Sequence, residues 1–317
     1  MKIGFIGLGN VGGKLAGSLL RNGFDLTVRD LNQEISRPFL DNGAKWGESP
    51  KQIAETVELV ITCLPNPAAS ASVMEADDGV LAGISSGKIW VEMSTTDEEE
   101  VKRLGAKVKA MGGEALDCPV SGGCHRAATG NISIFIGGER SSFEKILPVM
   151  KVLGRRILHT GVLGSASILK VMTNYLATAN LVTLCEALTT AKKAGMDLST
   201  TYEAIRISSG NSFVHETESQ VILNGSRDIN FTMDLVLKDI SLFQAIAERV
   251  GVPLEVSPLL IDIFKDGEER YGSREWSPNI VRRLEEACDT QVLASGFPGE
   301  MVDNEPEVSG SEVVARV

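Results

Sequence analysis

Lys170 is the one formally charged side chain between Ile157 and Cys185, in a stretch otherwise suited to burial. A buried lysine must lose its charge or find a partner. A neutral amine can take a proton and an ammonium can give one, so a lysine held in such a place can act as acid or base. A lone lysine can also snorkel from an apolar helix to water. Asn174 lies four residues on and shares Lys170's helical face, where its amide could position the ammonium or a substrate. A second candidate is DCPVSGG, Asp117 to Gly123. Ser121 and the N–H groups of Gly122 and Gly123 can converge on one small anion, since no Cβ blocks the approach. The same residues also read as a tight turn that simply needs glycine.

A third candidate lies at the N-terminus. In GFIGLGNVGG, Gly7, Gly9 and Gly12 form GxGxxG, with Asn10 and Val11 inside the turn. The first glycine permits the turn, the second lets backbone N–H groups approach a pyrophosphate, and the third lets helix pack on strand. An apolar strand precedes the motif, a helix follows, and Asp30 ends the next strand, a context that indicates dinucleotide binding. A carboxylate at Asp30 can accept from ribose hydroxyls and repels a 2′-phosphate. Leu31 follows it where an arginine would suit that phosphate. NAD is therefore the expected cofactor, with NADP kept open by Arg29 just before. Two more loops, CLPN (with Leu64, Pro65 and Asn66) and MSTT (with Thr95), fall where parallel strands end, the usual place for ligands in an open sheet. Each also reads as an ordinary turn.

The elements that must hold these groups follow a plain pattern. Short apolar runs (KIGFIG, DLTVRD, LVITCLP, IWVEMS) alternate with amphipathic helical stretches, which predicts right-handed βαβ crossovers and a mostly parallel Rossmann-type sheet. EALDCPVSGG, NISIFIGG and RRILHTG extend that sheet. After Gly161 the β pattern stops. One long interdomain helix runs to Gly195, a suitable C-terminal cap, with Lys192 and Lys193 in its last turn. Helices follow to about residue 288. The expected organisation is α/β then all-α: a dinucleotide-binding domain over 1–160, a helical substrate and oligomerisation domain over 161–289, and an acidic tail or extended arm over 290–317.

Composition narrows the function. The chain has 317 residues and a formal net charge of −11 with no Lys/Arg cluster, which argues against nucleic acid as a partner. Cys63, Cys118, Cys124, Cys185 and Cys288 are odd in number and lack CxxC spacing, so free thiols and a cytoplasmic location are expected. His125, His159 and His215 are scattered, and no metal site is expected. The glycines of the first turn interrupt what could be a signal peptide, and Ser, Thr and Asn stud the Lys170 segment, so neither export nor a membrane span is expected.

GFIGLGNVGG, DCPVSGG, GSASILKVMTN and LVLKD, in this order and on this two-part architecture, resemble the β-hydroxyacid dehydrogenases, the group containing 3-hydroxyisobutyrate dehydrogenase and tartronate semialdehyde reductase. The resemblance covers roughly residues 1 to 288. It implies an NAD-dependent oxidation of a small β-hydroxyacid to the semialdehyde or ketone, or the reverse, in a homodimer or homotetramer. It implies Lys170 as general acid/base, Asn174 at the reacting end, and Ser121, Gly122 and Gly123 on the substrate's acid group. Lys238 would close over cofactor and substrate, and Leu64, Pro65 and Thr95 would line the cofactor. Partial burial would lower the lysine's pKa toward its working range, an effect that the substrate's anion opposes. Two departures stand out. Thr173 precedes Asn174 where the family commonly has a second asparagine, and CHRAATG follows the SGG turn. His125 and Arg126 thus fall beside the proposed anion site, where they either face solvent or shift preference toward a larger or more acidic group such as a sulfonate. Imine reductases share the architecture but differ at the lysine position. A non-catalytic dinucleotide-binding module would not need the intact set Ser121, Lys170, Asn174 and Lys238. A 6-phosphogluconate dehydrogenase would need a larger helical region.

Overall fold

The computed structural model describes residues 1–316. Its contacts divide the chain into two compact units, residues 1–170 with the segment from Asp303 onward, and residues 171–302.

In the first unit the apolar runs become strands whose alternate residues face opposite ways. These are β1 (Lys2–Ile6), β2 (Asp25–Arg29), β3 (Lys45–Trp46), β4 (Leu59–Thr62), β5 (Ile89–Glu92), β6 (Glu114–Asp117), β7 (Val120–Ser121), β8 (Ile132–Gly137) and β9 (Gly154–Gly161). Ile3, Phe5, Leu59, Ile61, Ile89 and Val91 join one core, while Ile6, Val60 and Trp90 join another. Both faces are therefore covered, which is why the runs lack polar alternation. Leu15 and Leu19 of α1 (Gly12–Arg21) pack in the first core. The second takes Ile53 of α3 (Pro50–Thr56), Met74 of α4 (Pro67–Glu75) and Leu104 of α5 (Glu98–Ala110). The short α2 (Arg37–Asp41) lies between β2 and β3, and α6 (Cys124–Ala128) and α7 (Arg140–Leu153) flank β8 in sequence. The sheet order is β9-β8-β6-β5-β4-β1-β2-β3. Its pairings are parallel except where β8 meets β6 and β7. The expected mostly parallel Rossmann-type sheet is present, with β1 next to β4 as the doubly wound order requires.

The long helix is α8 (Ser165–Lys193), and the compact units part inside it, at Lys170. Contrary to expectation, α8 is long and apolar enough by length and composition to cross a membrane. Leu181, Leu184, Cys185 and Leu188 instead enter the core of the second unit. That core also takes residues from α9 (Leu198–Arg206), α10 (Phe213–Asn224), α11 (Met233–Arg249) and α12 (Val256–Tyr271), and α13 (Arg282–Ala287) follows. Of the stretch expected as a tail or arm, the part from Asp303 belongs to the first unit. There β10 (Ser311–Glu312) pairs in parallel with β9 and extends the sheet by one strand.

Candidate active site

The glycine turn is built by close backbone approach. Gly7 has φ +100°, and a Cβ there would lie 2.3 Å from the carbonyl oxygen of Cys63; one on Gly12 would lie 2.1 Å from that of Gly7. Only glycine lets the turn sit so near the CLPN loop. Gly9 faces the other way, with nothing within 4 Å of its Cβ position. Gly9 and Asn10 are exposed and Val11 is half-buried. An open cradle above exposed backbone N–H groups at the start of α1 fits a pyrophosphate. Asp30, just past β2, fastens this turn: its Oδ2 accepts from the backbone N–H of Leu8 at 2.7 Å and its Oδ1 from that of Asn32 at 3.0 Å. Leu31 beside it is fully exposed. Arg29 is committed elsewhere, donating to the carbonyls of Gly47 (2.9 Å) and Glu48 (2.6 Å) and lying over the Trp46 ring.

The next two loops are joined by a residue not singled out in the sequence. Glu92, at the end of β5 and 1% exposed, accepts from the N–H and hydroxyl of Ser94. The Ser94 hydroxyl in turn accepts from the N–H of Leu64 at 2.7 Å. Burial pushes the Glu92 carboxyl upward against the hydrogen bonds from Ser94. This relay sets Leu64 and Pro65 next to the half-buried Thr95 segment. Asn66 has a structural task, accepting from the N–H of Ala69 as the N-cap of α4.

Asp117, at the end of β6, is fully buried and was also missed. Its Oδ1 accepts from the N–H of Gly164 at 2.8 Å, and its Oδ2 from the N–H (2.7 Å) and hydroxyl (2.9 Å) of Ser167. Burial pushes its carboxyl upward and these bonds oppose the shift. The residue that opens DCPVSGG therefore also fixes the first turn of α8. Four residues later in sequence, Ser121 lies in β7, followed by Gly122 and Gly123 at φ +129° and +88°. Three residues past Ser167, Lys170 is buried, with 8% exposure. The strand end that leads into the SGG turn thus also holds the start of the lysine helix.

His125 and Arg126 do not project away from that turn. The Arg126 Cδ lies 3.4 Å from the Cβ position of Gly122, and the His125 ring comes within 2.8 Å of that of Gly123. Burial, then the Arg126 charge, push the His125 imidazole downward, and Asp303 opposes them.

In the second unit a further unpredicted carboxylate gathers two predicted residues. Asp239, 1% exposed, accepts from the side-chain amide of Asn174 and pairs with the Lys238 ammonium at 2.8 Å. Lys238 and Asp239 are consecutive in α11, and Asn174 sits one turn beyond Lys170 in α8.

A glycine-cradled turn at the switch point of a doubly wound sheet, followed by a helical unit, marks a dinucleotide-binding protein of the Rossmann type. Comparison with known proteins narrows the class. Residues 2–161 match the NAD-binding domain of 6-phosphogluconate dehydrogenase, and residues 164–284 match the domain described as NAD-binding of NADP-dependent 3-hydroxyisobutyrate dehydrogenase. The chain is 31% identical to 2-(hydroxymethyl)glutarate dehydrogenase of Eubacterium barkeri, over 92% of this chain and 97% of that one. It is 28% identical to the mitochondrial 3-hydroxyisobutyrate dehydrogenase of Rattus norvegicus, over 83% and 81%. A solved 3-hydroxyisobutyrate dehydrogenase from Salmonella typhimurium superposes with a TM-score of 0.82 at 25% identity, covering 89% of this chain and 99% of that one. The protein belongs to the β-hydroxyacid dehydrogenase family and is an NAD(P)-dependent dehydrogenase acting on CH–OH.

Proposed function

We propose that the protein oxidises the hydroxyl of a small β-hydroxyacid of the 3-hydroxyisobutyrate type to the semialdehyde or ketone, or runs the reverse reduction, with Lys170 as the proton-transfer group. One observation carries this reading: Asp117, four residues ahead of Ser121, accepts from Gly164 and Ser167 at the start of the helix that carries the buried Lys170. When bound, the nicotinamide dinucleotide supplies the hydride acceptor or donor. The chain's own groups do the rest. Ser121 and the N–H groups of Gly122 and Gly123 hold the substrate carboxylate. As the carbinol carbon gives up its hydride, the Lys170 amine takes the hydroxyl proton, and in reduction its ammonium returns that proton to the carbonyl oxygen. Asn174 and Lys238, both bonded to Asp239, are assigned to the reacting end and to closure over substrate and cofactor. Gly7, Gly9, Asn10, Val11, Gly12, Asp30, Leu31, Leu64, Pro65 and Thr95 are assigned to the cofactor.

NAD is the preferred dinucleotide in this reading, supported by Asp30 at the ribose position and by an Arg29 bonded away from any 2′-phosphate. A second reading, a substrate with another anionic group such as 2-(hydroxymethyl)glutarate or a hydroxy-sulfonate, is favoured by Arg126 against Gly122. We take the chain to be cytoplasmic, in keeping with a cysteine set that lacks CxxC spacing, and to be a homodimer or homotetramer, in keeping with exposed Ile207, Val250, Val252 and Leu259 on the helical unit. NADH formation from 3-hydroxyisobutyrate, 2-(hydroxymethyl)glutarate and a hydroxy-sulfonate, with NADP run in parallel, tests the proposal. Turnover of at least one acid with NAD is expected. Tight NADH binding without turnover of any of them refutes it.

A further inference from the structure

The segment from Asp303 lies beyond residue 284, where the matched helical domain ends, and it returns to the anion turn. It is fastened at intervals. Glu312 receives both guanidinium nitrogens of Arg140, at 2.5 and 3.0 Å, and Gly310 donates to the Lys151 carbonyl at 2.7 Å. Glu307 accepts from Asn22 at 3.0 Å. Asp303 accepts from the hydroxyl of Thr129 and, at 2.7 Å, from Asn131, the two residues that close the loop after α6. Between these anchors, Glu305 accepts from Arg155 at 2.5 Å through Oε2, and its Oε1 lies 3.6 Å from the Arg126 guanidinium.

Arg126 is therefore engaged on two sides. Its stem packs on Gly122, inside the proposed anion turn, and its charge faces a carboxylate carried in by the arm. We infer that Glu305 is a specificity-determining residue that acts through Arg126: by sharing that guanidinium it tempers the positive charge beside Gly122 and favours substrates with one acid group over those with two. A second substrate anion reaching for Arg126 meets the Glu305 carboxylate, whereas the first anion, on Ser121 and the glycine N–H groups, does not compete for it. Both partners are partly exposed, 34% and 50%, so the effect is a moderate selectivity and not a gate. The strap contacts alone would hold the loop but would not discriminate by ligand charge.

The inference rests on the proposed anion turn but not on turnover. Binding of butyrate, with one carboxylate, and glutarate, with two, is measured by calorimetry on the NADH-loaded protein. In Glu305→Gln, glutarate is expected to bind about fivefold tighter and butyrate within about twofold of wild type. Arg126→Gln should weaken glutarate, and in the double variant the gain from Glu305→Gln should vanish. Equal shifts for both acids, or none, overturn the inference and leave the arm a structural strap. If wild type binds neither acid, the anion turn itself is wrong. Charge-selective shifts in a protein that oxidises no β-hydroxyacid uphold the inference and refute only the proposed reaction.

Discussion

Asp117 and Asp239 are equally buried, 0% and 1% exposed, yet they hold their neighbours by different bonds. Asp117, in the α/β unit, accepts from two backbone N–H groups and one hydroxyl at the start of α8. Asp30 and Glu92, at or just past the ends of β2 and β5, behave alike, bonding the N–H groups of Leu8 and Ser94. Asp239, in the helical unit, holds two side chains, the Asn174 amide and the Lys238 ammonium. Carboxylates at strand ends thus shape the path of the chain, and the candidate groups follow from that path. Around Asp239 the path is already set by the helices α8 and α11, and this carboxylate aims side chains. Removing the first kind should cost stability as well as function, and removing the second chiefly function.

Asp117→Ala is the largest expected effect. It leaves three donors without an acceptor in a buried place and should destabilise the α/β unit by about 3 kcal/mol, read by calorimetry, with turnover falling alongside. Asp239→Ala should cut kcat/KM by roughly 10- to 100-fold, through misplaced Asn174 and Lys238, with a smaller loss of Tm. If the two variants divide their cost between stability and turnover in the same proportion, the distinction between the two kinds of anchor is lost. Next in size, Asp30→Ala should weaken NADH binding by about tenfold, since it frees the Leu8 N–H and removes the acceptor proposed for the ribose. NADPH binding should change less, so the variant discriminates less between the two dinucleotides.

A separate effect, on stability alone, concerns the Glu218 carboxyl, whose Oε2 has no hydrogen-bond partner among the described residues. Burial pushes Glu218 of α10 from 4.5 up to about 8. An acid with a raised folded-state pKa holds its proton more tightly folded than unfolded, so stability falls as pH rises from 4.5 toward about 8 and is level above. Glu218→Gln lacks that loss. Its Tm should gain on wild type across this window by about 3 °C for each kcal/mol recovered. A difference that is constant with pH would mean that the carboxyl does not titrate there.

Much of the α/β unit was legible because its signals are local. Apolar runs such as KIGFI and LVIT mark strands buried on both faces, and the spacing of Gly7, Gly9 and Gly12 encodes a turn within six residues. The anchors were not legible, because they act across the chain: Asp117 reaches 47 and 50 residues ahead, and Asp239 reaches 65 back. The sheet places these groups together, and periodicity carries no trace of it. Asp117 opens DCPVSGG, but its role as the anchor of α8 needed the fold. Acidity and scant periodicity made the last stretch read as a tail or arm. Its docking depends on Arg21, Arg126, Arg140 and Arg155, basic partners scattered over earlier elements.

The most direct test of the account is the kcat/KM of Lys170→Met with its best β-hydroxyacid and NAD, measured beside its affinity for NADH. The account predicts a fall of about 100- to 10,000-fold in kcat/KM, carried by kcat, with NADH binding within about twofold of wild type. Wild-type turnover in the variant would contradict it.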